Sequence, residues 1–214
     1  MTYATLQPDT FYAQTKLAAE RIVLNSRGTD GQPLGTVLRL GAVYGSRIKG
    51  NYERLTHALA RYHFIPIGNG LNRRTLVYDK DVGRAAALAI SHPAAAGPHT
   101  NPVGVGAGRV FNVTDGEFHT LNEIIESICS ALGRKPPRLS LPIGPVRFAA
   151  GIVEDIVRLV GRQAQISRAT IEKYTEDIAV DSSRIQTELG FKPQYDLRSG
   201  WQETVQEMRR MGQL

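Results

Sequence analysis

The sequence predicts an α/β layer fold with a mostly helical C-terminal remainder. Through about residue 140, short runs of β-branched and aliphatic residues alternate with helical periodicity, the pattern of strands joined by helices. From Pro136 onward the apolar positions follow helical spacing over most of the chain. With 214 residues, 42% hydrophobic and 21% charged, the chain has an ordinary globular composition and can bury a sizeable core.

The elements follow in order from turn, cap and periodicity signals. Asp9 or Thr10 can cap a first helix over about residues 11–26, whose spacing predicts burial of Leu17, Ala18, Ile22 and Val23. Thr120 and Glu123 have capping-box spacing at the start of a later helix, and Gly133 ends it. The predicted strands are 36–40, 73–78, 110–114, 136–145 and 178–181, and the other predicted helices are 51–63 (with Leu55, Ala58, Leu59 and Tyr62 inward), 79–92, 146–161, 166–177, 182–190 and one around Trp201.

Tyr12 and Lys16 are four residues apart in the first helix and therefore lie one turn apart on the same face. A free tyrosine has a pKa of about 10 and is a poor base at neutral pH, but a neighbouring ammonium favours the phenolate. The pair therefore suits proton transfer. The alternative is a half-buried ring beside a solvated lysine on an amphipathic helix.

Two further segments suit an anionic ligand. The stretch GAVYGSRIKGN, residues 41–51, has three glycines that would let a backbone approach a ligand, with Arg47 and Lys49 adding positive charge. Arg73 and Arg74 open a strand, where two guanidinium groups suit bidentate phosphate contacts. A plain surface turn and a solvated strand end are the respective alternatives.

Charge and composition exclude several classes of function. The formal charge of +6 suggests an anionic partner, and phosphate-bearing small molecules fit it. We expect no nucleic acid partner, because no Lys/Arg-rich run with interleaved aromatic residues is present. The single cysteine, Cys129, excludes an internal disulfide and is predicted to be core, and the histidines show no metal-ligand spacing. No apolar run approaches the length of a membrane span, so a cytoplasmic location is expected.

Taken together, five segments resemble the second half of an extended short-chain dehydrogenase/reductase of the NAD-dependent epimerase/dehydratase kind, which acts on nucleotide sugars. They are YAQTK, LRLGAVYGSRIKGN, NRRTLVYDKDV, RVFNVTDGEFHTLNEI and SSRIQTELGFKPQYDLRSGWQETV. The resemblance implies the C-terminal part of a Rossmann-like parallel sheet with a smaller, mostly helical substrate-binding lobe. Residues 1–135 would be the remaining half of the catalytic domain, with interleaved substrate segments, and residues 136–214 the lobe.

The resemblance also implies roles for individual residues. Tyr12 would be the acid/base, and Lys16 would bind the nicotinamide ribose of NAD or NADP and favour the phenolate. The remaining implied site residues are the cofactor contacts Gly41, Ala42 and Val43 and the substrate contacts Tyr44, Arg47, Asn51, Arg74 and Asp115. The implied substrate is a nucleotide-diphosphate sugar, UDP-linked by expectation.

Two departures from the family pattern shape the expected function. Ala42 stands where many epimerases and dehydratases have Asn. Together with the KGN that follows and the arginines of RRTLVY, this favours an epimerase or 4-ketoreductase of lipopolysaccharide sugar pathways over a dehydratase, acting on a sugar C4 hydroxyl or keto group. The glycine-rich cofactor finger and the upstream catalytic Ser/Thr have no match, so the chain is expected to be truncated, and to associate with itself through an exposed sheet edge. The alternatives are a non-catalytic remnant that binds a nucleotide diphosphate or a partner, and an enzyme reassembled from two chains.

Overall fold

The computed structural model describes residues 10–91, 109–159 and 176–214. No helix in these ranges combines the length and the apolar character needed to cross a bilayer. The helices are α1 Phe11–Asn25, α2 Asn51–Ala60, α3 Asp79–Ser91, α4 Leu121–Leu132, α5 Ile143–Leu159, α6 Ser183–Leu189 and α7 Leu197–Arg210; the strands are β1 Val37–Leu40, β2 Ala42–Tyr44, β3 Arg73–Arg74, β4 Leu76–Tyr78, β5 Val110–Val113 and β6 His119–Thr120.

The strands of the described residues form three pairs. β1 pairs with β5 and β2 pairs with β4, both parallel, and β3 pairs antiparallel with β6. Each parallel pair is connected through helices, since parallel neighbours need a crossover. The predicted α/β fold class is therefore confirmed.

The chain divides into two compact units, each assembled from three stretches. The first comprises the described parts of Met1–Leu40, Val82–Val113 and Ser182–Lys192, and the second those of Gly41–Asp81, Thr114–Asp181 and Pro193–Leu214. The stretches of the two units alternate along the sequence. The two domains expected from the sequence, in contrast, are each one continuous stretch with a single boundary at residue 135. The assignment of residues 136–214 to a substrate-binding lobe stays a prediction.

In the first unit, α6 packs on β5. The guanidinium of Arg184, in α6, lies 5.3 Å from the centre of the Phe111 ring and donates to the Val110 carbonyl at 3.3 Å. Ile185, Leu189 and Phe111 are fully buried there.

The predicted burial of α1 was wrong, because α1 has no buried residue. Ile22 and Val23 are 70% and 38% exposed, Ala18 is exposed, and Leu17 is only half-buried. Two strands of four residues offer too narrow a surface to cover a helix of 15 residues. α1 is instead joined to β1 by an ion pair between Glu20 and Arg39.

The second unit has its core between α4 and α7. Trp201 of α7 stacks on Tyr44 with ring centres 4.5 Å apart, and Tyr78 also packs against Tyr44, with ring centres 5.4 Å apart. The predicted capping box of α4 is confirmed, since Thr120 and Glu123 exchange both hydrogen bonds. Gly133 ends the helix in the left-handed conformation, at a φ of 71°, and Cys129 is buried as predicted.

Several predicted elements differ in the structure. Residues 73–78 form two strands rather than one, because the chain leaves β6 at Thr75 and joins β2. Tyr62 does not point inward, because α2 ends at Ala60 and Tyr62 has a φ of 57°. Its side chain is exposed, and the Arg134 guanidinium lies 4.1 Å from the centre of the Tyr62 ring. The strands predicted at 136–145 and 178–181 are reduced to single bridges, from Leu141 to Ile67 and from Ile178 to Arg74. The helix predicted at 166–177 lies almost entirely outside the described residues.

Candidate functional site

Tyr12 and Lys16 lie together on the first turns of α1, as their spacing predicts. The Thr10 side chain caps this helix by accepting from the backbone N–H of Ala13 at 3.2 Å, which fixes where the helix begins. The Lys16 ammonium nitrogen is 5.5 Å from the centre of the Tyr12 ring. Tyr12 is 70% exposed, so its phenol is accessible to a ligand. Both residues belong to the first unit, and the other predicted site residues belong to the second.

The glycines of residues 41–45 are explained by packing within the second unit. A Cβ on Gly41 would lie 3.0 Å from the Thr75 carbonyl oxygen and 3.2 Å from the Thr114 methyl carbon. Gly45 has a φ of 157°, and a Cβ there would collide with the Asp79 carboxylate. Packing within the unit therefore accounts for the absence of a side chain at these two positions, whereas the sequence suggested that a ligand approaches the backbone there.

Ala42 and Val43 form the start of β2, in register with Leu76 and Val77 of β4. The Ala42 N–H donates to the Thr75 carbonyl at 3.0 Å, and its methyl group is exposed. Their predicted role as cofactor contacts stays a prediction.

Tyr44 is 1% exposed and sits inside the aromatic core of the second unit. Its hydroxyl lies against Gly200 and has no hydrogen-bond partner among the described residues. Burial, and after it the charge of Asp115, raises the pKa of the Tyr44 phenol, so this group is neutral. The structure therefore places Tyr44 as a packing residue, and its predicted contact with substrate stays a prediction.

The loop after β2 carries Arg47 and leads to Asn51, the first residue of α2. Both side chains are exposed. The preceding Ser46 is buried, and its hydroxyl donates to Glu207 of α7, which also accepts from Lys80 at 2.9 Å. These two hydrogen bonds lower the pKa of Glu207. The loop is therefore anchored at Ser46, and Arg47 projects from an anchored backbone.

Arg74 and the start of α2 both influence Tyr52. Burial raises the pKa of Tyr52 to about 12, and the positive charge of Arg74 acts in the opposite direction. Asn51 is the neighbour of Tyr52 in the first turn of α2. Gly50 caps this helix without a side chain, at a φ of 155°, and a Cβ there would meet no atom within 4 Å. The predicted contacts of Asn51 and Arg74 with a diphosphate stay predictions.

Asp115 is held in a tight loop between β5 and β6. Its N–H donates to the Leu76 carbonyl at 2.8 Å, and one carboxylate oxygen accepts from the Glu117 N–H at 3.2 Å. The other oxygen lies 2.6 Å from Nε2 of His119. The side chains of His119 and Asp115 are only 13% and 4% exposed.

His119 is the residue that the sequence interpretation missed, since it considered the histidines only as metal ligands. Burial alone would lower the pKa of His119, but its hydrogen bond to Asp115 and the nearby carboxylates raise it above its ordinary value. The spacing of Asp115 and His119 around a Gly-containing turn was the available signal.

The model of the NAD dependent epimerase/dehydratase family matches residues 1–113, more than half of the chain. The chain belongs to this family. Among family relatives, it is 26% identical over 204 residues to the uncharacterised protein YbjS of Escherichia coli K12 and 24% identical over 200 residues to UDP-glucose 4-epimerase of Vibrio cholerae. These alignments cover 95% and 93% of this chain but 58% and 54% of the relatives, so the chain spans a little over half of their length.

Solved structures agree on the fold. The crystal structure of gox2253 matches with a TM-score of 0.69 at 19% identity, over 95% of this chain and 57% of that one. UDP-glucuronic acid 4-epimerase from Bacillus cereus, in complex with NAD, matches with a TM-score of 0.64 at 18% identity, over 97% of this chain and 55% of that one. The described residues therefore have the fold of the epimerase/dehydratase family.

The family implies a nicotinamide cofactor, and Tyr12 and Lys16 fit one chemically. Both side chains are on one accessible face of α1, and the three N–H donors of a lysine ammonium suit the hydroxyls of a ribose. An exposed phenol beside a cation is a suitable group for a proton that moves with a hydride.

Proposed function

We propose that this chain is the catalytic and substrate-binding part of an NAD(P)-dependent epimerase or 4-ketoreductase acting at the C4 hydroxyl or keto group of a UDP-linked sugar. The observation that carries the proposal is the accessible Tyr12 phenol with the Lys16 ammonium 5.5 Å from its ring centre. Two 4-epimerases, of UDP-glucose and of UDP-glucuronic acid, are among its similar proteins.

In the proposed reaction, Tyr12 moves a proton at the sugar hydroxyl. On oxidation, the phenolate oxygen of Tyr12 takes the hydroxyl proton as the C4–H bond breaks, and on reduction the phenol returns a proton to the forming alkoxide. The nicotinamide cofactor supplies the hydride acceptor and donor. Lys16 stabilises the phenolate by its charge and would also hold the ribose. Gly41, Ala42 and Val43 are proposed to lie beside the nicotinamide.

The second unit would hold the nucleotide diphosphate. Arg74 and Asn51, the first residue of α2, would contact the diphosphate, together with Arg47 on the loop anchored by Ser46. Guanidinium groups and backbone N–H groups at a helix start are suitable donors for phosphate oxygens. Tyr44 and Asp115 complete the proposed substrate set. A cytoplasmic location and a place in lipopolysaccharide sugar synthesis stay predictions from the sequence.

A second candidate function is binding of a nucleotide diphosphate without catalysis. It is favoured by the placement of Arg47, Asn51 and Arg74, the residues proposed to contact the diphosphate, in a different unit from Tyr12 and Lys16. Such a unit would bind the diphosphate without any contribution from a cofactor.

Calorimetric titration of the chain with UDP-glucose and separately with NADH distinguishes the two functions. Binding of both would support the enzyme. In a full-length version of the protein, we expect Tyr12→Phe to lower the turnover of UDP-glucose at least about 100-fold, because the proton-transfer group is lost. Tyr62→Phe, at an exposed tyrosine of the second unit, is the matched control and should leave turnover unchanged. UDP-glucose binding without NADH binding would support the second function. Binding of neither, or full turnover in Tyr12→Phe, would contradict the proposed enzyme.

A further inference from the structure

Arg74 is held in place on both sides of its strand. In the antiparallel pair of β3 and β6 it is directly opposite His119, and a bridge on its other side joins it to Ile178. The Thr75 N–H donates to the Ile178 carbonyl at 3.2 Å, and the Ile178 N–H donates to the Arg73 carbonyl at 2.9 Å. Directly opposed residues of an antiparallel pair have side chains on the same face, with Cβ atoms about 5 Å apart. The Arg74 and His119 side chains therefore leave the ladder on one face.

The carboxylate of Asp115 connects this face to the loop before β6. It lies 2.6 Å from Nε2 of His119, and both side chains are nearly buried. When His119 is protonated, the pair has no net charge. When His119 is neutral, the nearly buried Asp115 carboxylate keeps its negative charge without an imidazolium beside it. The two protonation states therefore present different local charge to Arg74 and to any anion bound there.

We propose that Asp115 and His119 are positioning residues of the diphosphate site, which act through Arg74 so that a nucleoside diphosphate binds more tightly when His119 is protonated. The inference rests on the proposed function, in which Arg74 contacts the diphosphate. A protonated His119 neutralises Asp115, so that less negative charge acts on a ligand beside Arg74. A neutral His119 leaves Asp115 to repel the phosphates and to compete with them for the guanidinium.

The surrounding charges favour the protonated state in the range where histidine titrates. Glu117 and Glu123 act on His119 in the same direction as Asp115, and the pKa of His119 is raised in consequence. The start of α7 shares a surface depression with His119, and it contributes one charge of each sign there. The charged groups that face His119 are thus Arg74 from β3, Asp115 and Glu117 from the loop, Glu123 and Glu126 from α4, and Asp196 and Arg198 from α7.

Calorimetric titration with UDP-glucose from about pH 6 to about pH 9, at constant ionic strength, tests this inference. UDP-glucose suits the test because its pyrophosphate is a diester without the phosphate ionisation near pH 6 that free UDP has. For the unmodified chain we expect the affinity to fall about tenfold across this range, as one nearby charge is lost.

His119→Gln should remove this pH dependence. The glutamine amide can still donate to Asp115 but carries no charge, so we expect affinity at every pH to equal that of the unmodified chain at the alkaline end. His63→Gln, at an exposed histidine of the same unit, is the matched control and should keep the tenfold change. Asp115→Asn removes the competing carboxylate, and its affinity at the alkaline end should rise toward the acid-end value. Circular dichroism spectra of the variants establish that each is folded.

The outcomes separate the inference from the proposed function. If UDP-glucose binds equally at all pH values, or if His119→Gln keeps the full pH dependence, the inference is wrong while diphosphate binding stands. If His119→Gln does not fold, a pH dependence unchanged by Asp115→Asn overturns the inference equally. If UDP-glucose does not bind at any pH, both the inference and the proposed function fall.

Discussion

Gly200, in the first turn of α7, illustrates how a single residue is determined by its neighbour. A Cβ at this position would lie 2.8 Å from Cζ of Tyr44 and closer still to its hydroxyl oxygen. The Tyr44 ring is confined, because it is 1% exposed, stacks on Trp201 and packs against Tyr78. We expect Gly200→Ala to lower the free energy of unfolding by about 1–3 kcal/mol, as overpacking does, measured by urea denaturation.

The matched control for this prediction is Gly83→Ala in α3. A Cβ on Gly83 would meet no atom within 4 Å, so the greater helix propensity of alanine should raise the free energy of unfolding by up to about 1 kcal/mol. A Gly200→Ala variant as stable as Gly83→Ala would show that the Tyr44 ring is not confined.

His119 also predicts a pH dependence of stability. Its pKa is raised in the folded protein, so the folded state binds the proton more tightly than the unfolded chain does. The resulting stabilisation is complete below the unfolded histidine pKa of about 6.5 and is lost as the pH rises through the higher folded value. We therefore expect the unmodified chain to have a higher unfolding free energy than His119→Gln at acid pH. This difference should shrink as the pH rises. A difference that grows with pH would have the wrong sign and would refute the role of Asp115 as its partner.

At the scale of elements, Asp81 ties the start of α3 to the segment before α7. It is 1% exposed, and its carboxylate accepts from the N–H groups of Gln194 and Tyr195 at 3.1 Å. Asp81→Asn keeps the shape but loses the charge of these hydrogen bonds, and should cost about 1.5–3 kcal/mol of unfolding free energy in urea denaturation. Glu126→Gln, at an exposed position of α4, is the control and should change stability by less than about 0.5 kcal/mol.

The elements that were predicted correctly are those whose signals are local. α4 has its capping box at Thr120 and its C-terminal Gly133 within the same stretch of sequence, and both are found in the structure. The break at Thr75 is not a local property, because it arises where the chain exchanges one partner strand for another. Tyr62 was expected to be inward from helical spacing alone, but α2 ends two residues earlier. Tertiary pairing decided each of these differences.

At the scale of the whole molecule, the site residues also divide into those that local spacing predicts and those that tertiary structure brings together. The Tyr12 and Lys16 pair follows from spacing on one helix, and the structure brings the two side chains together. The pairing of Asp115 with His119, and of His119 with Arg74, depends on a loop geometry and a strand register that no periodicity encodes. Sequence reasoning therefore found Arg74 and Asp115 separately and missed His119, the residue that lies between them.

The first unit leaves apolar surface exposed, and this predicts self-association. Phe11 and Ile22, at 82% and 70% exposure, are about three turns apart on the same face of α1. In the part of the chain that the structure describes, β1 and β5 pair only with each other, so each has an unpaired edge. Both strands belong to the same unit as α1. A second copy of the chain can cover both features, because large exposed apolar patches and strand edges favour association.

We expect light scattering to give a mass above that of a monomer at micromolar concentration. Replacing both residues, Phe11→Ser with Ile22→Ser, should reduce that mass, whereas Phe148→Ser, at an exposed phenylalanine of the second unit, should not. A monomer at every concentration of the unmodified chain would contradict the prediction, and an unchanged mass in the double variant would assign the association to the strand edges instead.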